Sequence, residues 1–209
     1  MTWLRLLTAC LALLAVSACG DRFDRSELLQ AAPEDELDAL RQADRHILVV
    51  RHARKIDEAC NGLECELSAR GNAMVDRLGA LLGPRPMDAV LASSACRTVL
   101  TARAGHADVV QHQPAPGLDQ ACGSDEPVTR SRAIAMLETE ESRARWTLVV
   151  EHSNTVCTWI AAFAPDARSA CEEGSLPSSA YGDIFWLHRL DGDWHLVTLN
   201  DAFDVEASQ

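Results

Sequence analysis

The sequence predicts an α/β fold, a three-layer α/β/α sandwich whose sheet is mainly parallel with an antiparallel hairpin at one edge. Two observations carry this. Short apolar runs at Ile47–Val50, Asp88–Ser93 and Trp146–Val150 alternate with segments of helical periodicity. Such near-continuous runs are typical of strands covered on both faces by crossover helices. Near the C-terminus the pattern changes to two alternating stretches, Asp183–Arg189 and Trp194–Leu199, joined by the tight-turn pair Asp191-Gly192.

The 209 residues suffice for one domain with a sizeable core once the N-terminus is set aside. Arg5 followed by the apolar run Leu6–Val16, too short for a comfortable membrane span, predicts an export signal over residues 1–18. Val16-Ser17-Ala18-Cys19 resembles a bacterial lipobox, which implies cleavage before Cys19 and lipidation of that residue. The expected location is the bacterial cell envelope, lipid-anchored and facing the periplasm, with Gly20 after the cysteine favouring the outer membrane. Residues 19–44, polar and acidic with Leu28, Leu29, Leu37 and Leu40 among them, read as a tether and a short amphipathic helix. The folded domain is then 45–209.

A formal charge of -12 makes the protein a poor candidate for binding nucleic acid or anionic lipid headgroups, both of which need a basic face. Outside the signal and Cys19, the cysteines are Cys60, Cys65, Cys96, Cys122, Cys157 and Cys171. An even number in an exported chain suggests disulfides of unspecified pairing, with Cys60 and Cys65 near enough to close a small loop. Cys96 and Cys157 fall inside predicted helices and have buried thiols as their alternative reading. No CxxC pair or closely spaced histidines suggest a metal site.

The first strand delivers Arg51 and His52 to its C-terminal end, where ligands bind in open α/β sheets. An imidazole beside a guanidinium suits phosphate, one as nucleophile and the other as a planar fork for its oxygens. Next, Ser68 is a helix N-cap and Met74, Leu78, Leu81 and Leu82 share a face before Gly83-Pro84. The second strand runs into Ser93-Ser94-Ala95-Cys96-Arg97-Thr98 and a helix to about Ala104. A third short strand is expected at Val109-Val110, and 111–130 is a Pro-, Gly- and Asp-rich loop over the sheet's active edge. A helix over Arg132–Glu141 leads to the strand that ends in Glu151-His152-Ser153-Asn154-Thr155, and a helix over Thr155–Phe163 follows.

Four segments in this order resemble the histidine phosphatase superfamily, which includes the cofactor-dependent phosphoglycerate mutases and the acid phosphatases. They are Val49-Val50-Arg51-His52-Ala53, Leu67-Ser68-x-x-Gly71, Ser93-Ser94-x-x-Arg97-Thr98 with Thr101-Ala102 beyond, and Leu148 to Thr155. The resemblance implies that His52 is a nucleophile that becomes phosphohistidine, with Arg51, Arg97 and His152 around the phosphate. Ser153 and the first amides of the following helix are expected to add donors. The reaction implied is metal-independent hydrolysis of a small phosphomonoester, with no cofactor.

Departures from the family pattern bear on the site. Glu151 stands where glycine is usual, and its carboxylate crowds the pocket, neutralises an arginine or turns away into a neighbouring salt bridge. Arg54-Lys55 predicts a basic mouth favouring acidic substrates. The general acid is expected among the loop carboxylates Asp119, Asp125 and Glu126. His46, His106, His112, His188 and His195 read as surface or packing residues, and Tyr181 is placed at the pocket rim by loose resemblance. The alternative function is a non-catalytic phosphate-ligand-binding or envelope-scaffold lipoprotein that retains the pocket.

Overall fold

The computed structural model describes residues 25–114, 122, 127–139, 142–167, 171 and 174–206. Its elements are α1 (Ser26–Gln30), α2 (Leu37–Gln42), β1 (Arg45–Arg51), α3 (Ala69–Leu82), β2 (Ala89–Ser93), α4 (Cys96–Ala102) and β3 (Val109–His112). They continue with α5 (Arg130–Glu138), β4 (Trp146–Glu151), α6 (Val156–Phe163), β5 (Ile184–Leu190) and β6 (Asp193–Leu199). The strands form one six-stranded sheet in the order β3-β2-β4-β1-β5-β6. β3, β2, β4 and β1 are parallel, while β5 is antiparallel to both β1 and β6.

Alternation along β1 explains the layers. Leu48 and Val50 join a core with Leu28, Met74, Leu78 and Leu81 from α1 and α3, whereas Ile47 and Val49 join Leu137, Val156, Trp159 and Ile160 from α5 and α6. Successive side chains of a strand point to opposite faces, so covering both faces demands an unbroken apolar run. Residues 25–43 belong to this packing, because Leu28, Leu29 and Leu40 are buried in the first core. Among the described residues no helix is long and apolar enough to cross a membrane.

Boundaries moved where capping chemistry overrode periodicity. α5 starts at Arg130 because the Thr129 side chain accepts from the Arg132 N–H, and it ends at Glu138 rather than Glu141. α4 stops at Ala102 and tightens into a 3₁₀ turn over Arg103–Gly105. The hairpin turn is as expected, since Asp191 and Gly192 have φ of 53° and 94°, the left-handed pair that matches strand twist.

The Ser68 to Gly71 motif ties α3 to the segment after β1. Ser68 caps α3 by accepting from the Gly71 N–H at 3.0 Å, and its own N–H and hydroxyl donate to the Arg54 carbonyl at 3.0 and 3.2 Å. A Cβ on Gly71 would overlap that same carbonyl oxygen. Gly71→Ala therefore forces backbone apart, and we expect it to lower the urea midpoint by the equivalent of about 2 kcal/mol. An unchanged midpoint would show that the contact yields without cost.

Candidate active site

Register alone places the two motif histidines together. β1 and β4 pair with Val50 opposite Val150 and Arg51 opposite Glu151, and the His52 N–H donates to the Glu151 carbonyl at 2.8 Å. His52 and His152 thus leave adjacent parallel strands at the same level, with ring centroids 5.4 Å apart in an edge-on arrangement. β2, on the other side of β4, brings Ser93 and then Arg97 to the same edge.

His52 is buried, and its Nδ1 lies 2.8 Å from the Ala53 carbonyl. A carbonyl can only accept, so Nδ1 carries the proton and the Nε2 lone pair is available. Burial first, and then the neighbouring His152, Arg51 and Arg97, hold the His52 pKa well below the usual histidine range. The ring is therefore neutral near pH 7, which is the nucleophilic form.

The ring of His152 is oriented from both sides. Arg97 Nη2 lies 3.3 Å from its Nδ1, and Ser93 Oγ lies 3.0 Å from its Nε2. The guanidinium cannot accept, so Nδ1 holds the lone pair and Nε2–H donates to Ser93. Burial, opposed by Glu151 and reinforced by Arg97 and Arg130, lowers the His152 pKa to about 4.

Backbone carbonyls position the arginines. Arg97 Nη1 donates to Gly62 O at 2.7 Å, inside the loop closed by the Cys60–Cys65 disulfide. Arg51 Nη1 lies 3.2, 2.9 and 2.7 Å from the carbonyls of Pro177, Ser178 and Ala180, and its guanidinium stacks 3.8 Å over the Tyr181 ring. The Nε atoms of both arginines and the Ser94 hydroxyl are buried without a hydrogen-bond partner among the described residues. Thr101 links the pieces by accepting from the Ala53 N–H at 3.0 Å and donating to the Arg97 carbonyl at 2.7 Å.

Glu151 turns away from this cluster. Its fully buried carboxylate accepts from Arg130 Nε at 2.9 Å, Thr155 Oγ at 2.7 Å and Trp159 Nε1 at 2.7 Å, with His112 Nε2 at 3.3 Å. Burial pushes its pKa up, but His112, Arg130, Thr155 and His152 outweigh that and hold it below the usual glutamate range. His112, read from the sequence as a packing or surface residue, is thus a member of a buried polar cluster behind His152. Nothing local in the sequence signals its link to Glu151, which is made across the sheet.

Four expectations change. Arg54 is not a free mouth cation, because it pairs with Asp204 at 3.0 Å, a carboxylate that Arg70 also reaches at 3.1 Å. The amides of Thr155 and Val156 both donate to the His152 carbonyl at 3.0 Å, so they are not open to an oxyanion. Ser153 is half-buried beside His152, with its carbonyl accepting from Leu176 N at 2.8 Å. Cys96 and Cys157 are not buried thiols: the disulfides are Cys60–Cys65, Cys96–Cys122 and Cys157–Cys171. Tyr181, expected at the rim, is buried with its ring 5.9 Å from that of His52. Asp119, Asp125, Glu126 and Cys19 lie outside the described residues.

Among the described residues, no three His, Cys, Asp or Glu side chains converge as metal ligands. A groove of about 640 Å³ lies elsewhere, between α3 and the turn at Arg103–His106, and holds none of the motif residues. Convergence of cationic and imidazole groups, rather than volume, marks the site.

No protein-family profile and no curated protein sequence matches the chain. Solved structures do. A provisionally named alpha-ribazole-5'-P phosphatase from Escherichia coli superposes with a TM-score of 0.52 at 20% identity, covering 78% of this chain and 99% of that one. The protein histidine phosphatase SixA, complexed with tungstate, gives 0.50 at 17% identity, with 75% and 97% covered. Phosphoserine phosphatase from Entamoeba histolytica, in complex with 3-phosphoglyceric acid, gives 0.50 at 14% identity, with 75% and 96% covered. This is the histidine phosphatase fold.

Substitutions at two positions probe how the fold holds the site. Glu151→Ala leaves Arg130 and His112 without their carboxylate, and we expect a loss of about 3–5 kcal/mol in urea unfolding. Glu151→Gln, which keeps the shape, should lose less. Cys60→Ser opens the loop bearing Gly62 O and frees Arg97. Phosphate affinity, read by calorimetry, should fall about tenfold with the circular dichroism spectrum unchanged. Unchanged affinity would show that the loop holds Arg97 without its disulfide.

Proposed function

We propose that the protein is a metal-independent phosphatase that hydrolyses a small phosphomonoester through a phosphohistidine intermediate on His52. The observation that carries this reading is the His52 ring itself. It is neutral, its Nδ1 proton is held by the Ala53 carbonyl, and its Nε2 lone pair is available beside His152 and two buried arginines.

In the first step Nε2 attacks phosphorus, forming an N–P bond as the P–O bond to the leaving alcohol breaks. Arg51 and Arg97 stabilise the charge on the equatorial oxygens as the two guanidinium groups gathered with His52 at this edge. His152 and the Ser153 amide complete the phosphate site. Water then attacks the phosphohistidine, releasing inorganic phosphate and restoring the imidazole. The proton for the leaving oxygen is assigned to the loop carboxylates Asp119, Asp125 or Glu126. The described residue of that segment, Cys122, is bonded to Cys96, next to Arg97 in sequence, which supports the assignment.

Two of the structural neighbours are named for small phosphate esters and one for protein histidine phosphate. The exported address favours the former class. That address, at the bacterial envelope with lipid on Cys19 and the domain facing the periplasm, is supported by the disulfides, which persist in oxidising compartments.

The test is hydrolysis of an aryl phosphate by the wild type and by His52→Ala. We expect at least about a thousandfold loss in the variant and an acid-labile phosphoenzyme in the wild type. Because burial holds the pKa of His52 well below 6.5 and that of His152 at about 4, both rings stay neutral as pH falls through 6.5. Activity should persist through that range, and the acid limb should lie below it. A folded wild type that binds phosphate without turnover would overturn the proposal in favour of a binding protein.

A further inference from the structure

The point at which the chain enters the domain bears on which substrates can reach the pocket. Arg25, 2% exposed, is the first described residue. Its guanidinium donates to the Leu82 carbonyl and lies 3.4 and 3.3 Å from the carbonyls of Arg85 and Pro86. It also lies 5.0 Å over the ring of Trp146. Leu82 ends α3, Pro86 precedes β2, and Trp146 opens β4. All of these mark the N-terminal edge of the parallel strands. His52, Arg97 and His152 stand at the C-terminal edge, beyond the far end of β1, which at its seven residues is roughly 23 Å long. The chain is thus clamped at the pole opposite the pocket.

The tether is too short to cancel this geometry. Only Gly20 to Asp24 separate Cys19 from Arg25, and even fully extended that stretch reaches about 20 Å. A domain of this size is about 40 Å across. For the pocket to meet the membrane that holds Cys19, the tether would have to run past the whole flank of the domain, about twice its reach. The acidic character of the chain, -12 overall, further opposes tipping onto an anionic surface.

We infer that the lipidated protein stands on the membrane by the pole bearing Arg25, Arg85 and Pro86, with its pocket facing away, so that its substrate is a water-soluble phosphomonoester and not a lipid phosphate of the same membrane. This rests on the phosphatase reading and on lipidation of Cys19. Arg25 acts as a stop: its buried hydrogen bonds keep the residues after it from peeling off to lengthen the tether.

The experiment uses the full lipidated chain on vesicles containing long-chain phosphatidic acid, with water-soluble dihexanoyl phosphatidic acid and an aryl phosphate as companion substrates. Soluble substrates should turn over, while the embedded lipid is hydrolysed at least about tenfold more slowly than its short-chain counterpart. A flexible spacer of about 20 residues inserted after Asp24 should remove that difference, since the longer tether can pass the flank. Comparable hydrolysis of both lipids with the native tether overturns the inference. Loss of aryl phosphate turnover instead overturns the phosphatase reading. Orientation is then decided separately, with fluorophores incorporated at Arg85 and, on the pocket side in the exposed loop that follows β1, at Glu58, in separate preparations and with an acceptor on the lipid headgroups. Stronger transfer from position 85 supports the inference, and equal or stronger transfer from position 58 overturns it. Unmodified Cys19 in the mass spectrum would remove the anchor and the inference with it.

Discussion

Arg51, His52, Arg97 and His152 are gathered at one sheet edge with little exposure, and the arrangement around them answers the problem this creates. Taking guanidinium groups out of water is costly unless their N–H groups find partners, and a carboxylate partner would cancel the charge that the proposed phosphate site needs. Backbone carbonyls solve this. Gly62 takes a donor from Arg97, and the carbonyls at Pro177, Ser178 and Ala180 gather around Arg51. These acceptors satisfy hydrogen bonds while leaving the formal charge intact. The imidazoles avoid the problem differently, since burial and the positive groups around them hold both neutral.

The supports of the site follow from that solution. A carbonyl is a useful partner only if the loop bearing it is held, and just ahead of Pro177 the Leu176 N–H donates to the Ser153 carbonyl at 2.8 Å. The Gly62 loop is closed by Cys60–Cys65, and its Leu63 carbonyl accepts from the Cys96 N–H at 2.7 Å. The Arg54 carbonyl is clamped by Ser68 against the α3 N-terminus, and Thr101 joins the segment after His52 to the helix of Arg97. Glu151 is the acidic member of this edge, and it faces backwards. With Arg130, Thr155, Trp159 and His112 it forms a polar cluster behind His152, whose N–H lies 3.1 Å from the Thr155 hydroxyl. The carboxylate whose orientation the sequence left open has the one that spares the pocket.

What could be read in the chain follows the range of the forces involved. The strands, the helix over Ala69–Leu82 and the Asp191-Gly192 turn were legible because periodicity and turn chemistry act over a few residues. The motif order was legible because parallel strands with crossover helices must deliver successive loops to one edge. Arg54 misled because its partner, Asp204, lies 150 residues away and carries no pattern of its own. The disulfide partners of Cys96 and Cys157 and the contact between His112 and Glu151 were hidden for the same reason.

The sequence by itself thus determined which residues are apolar enough to form a buried sheet, which side chains its edge would carry, and the α/β class that follows. Tertiary structure alone decided how those side chains are used: which carbonyls hold the arginines, which tautomers the histidines adopt, where Glu151 points, and at which pole the chain enters. The physical reason is that a strand's burial is set by its own composition. A polar group's role depends on the partner nearest to it, and in this protein those partners come from other strands and loops.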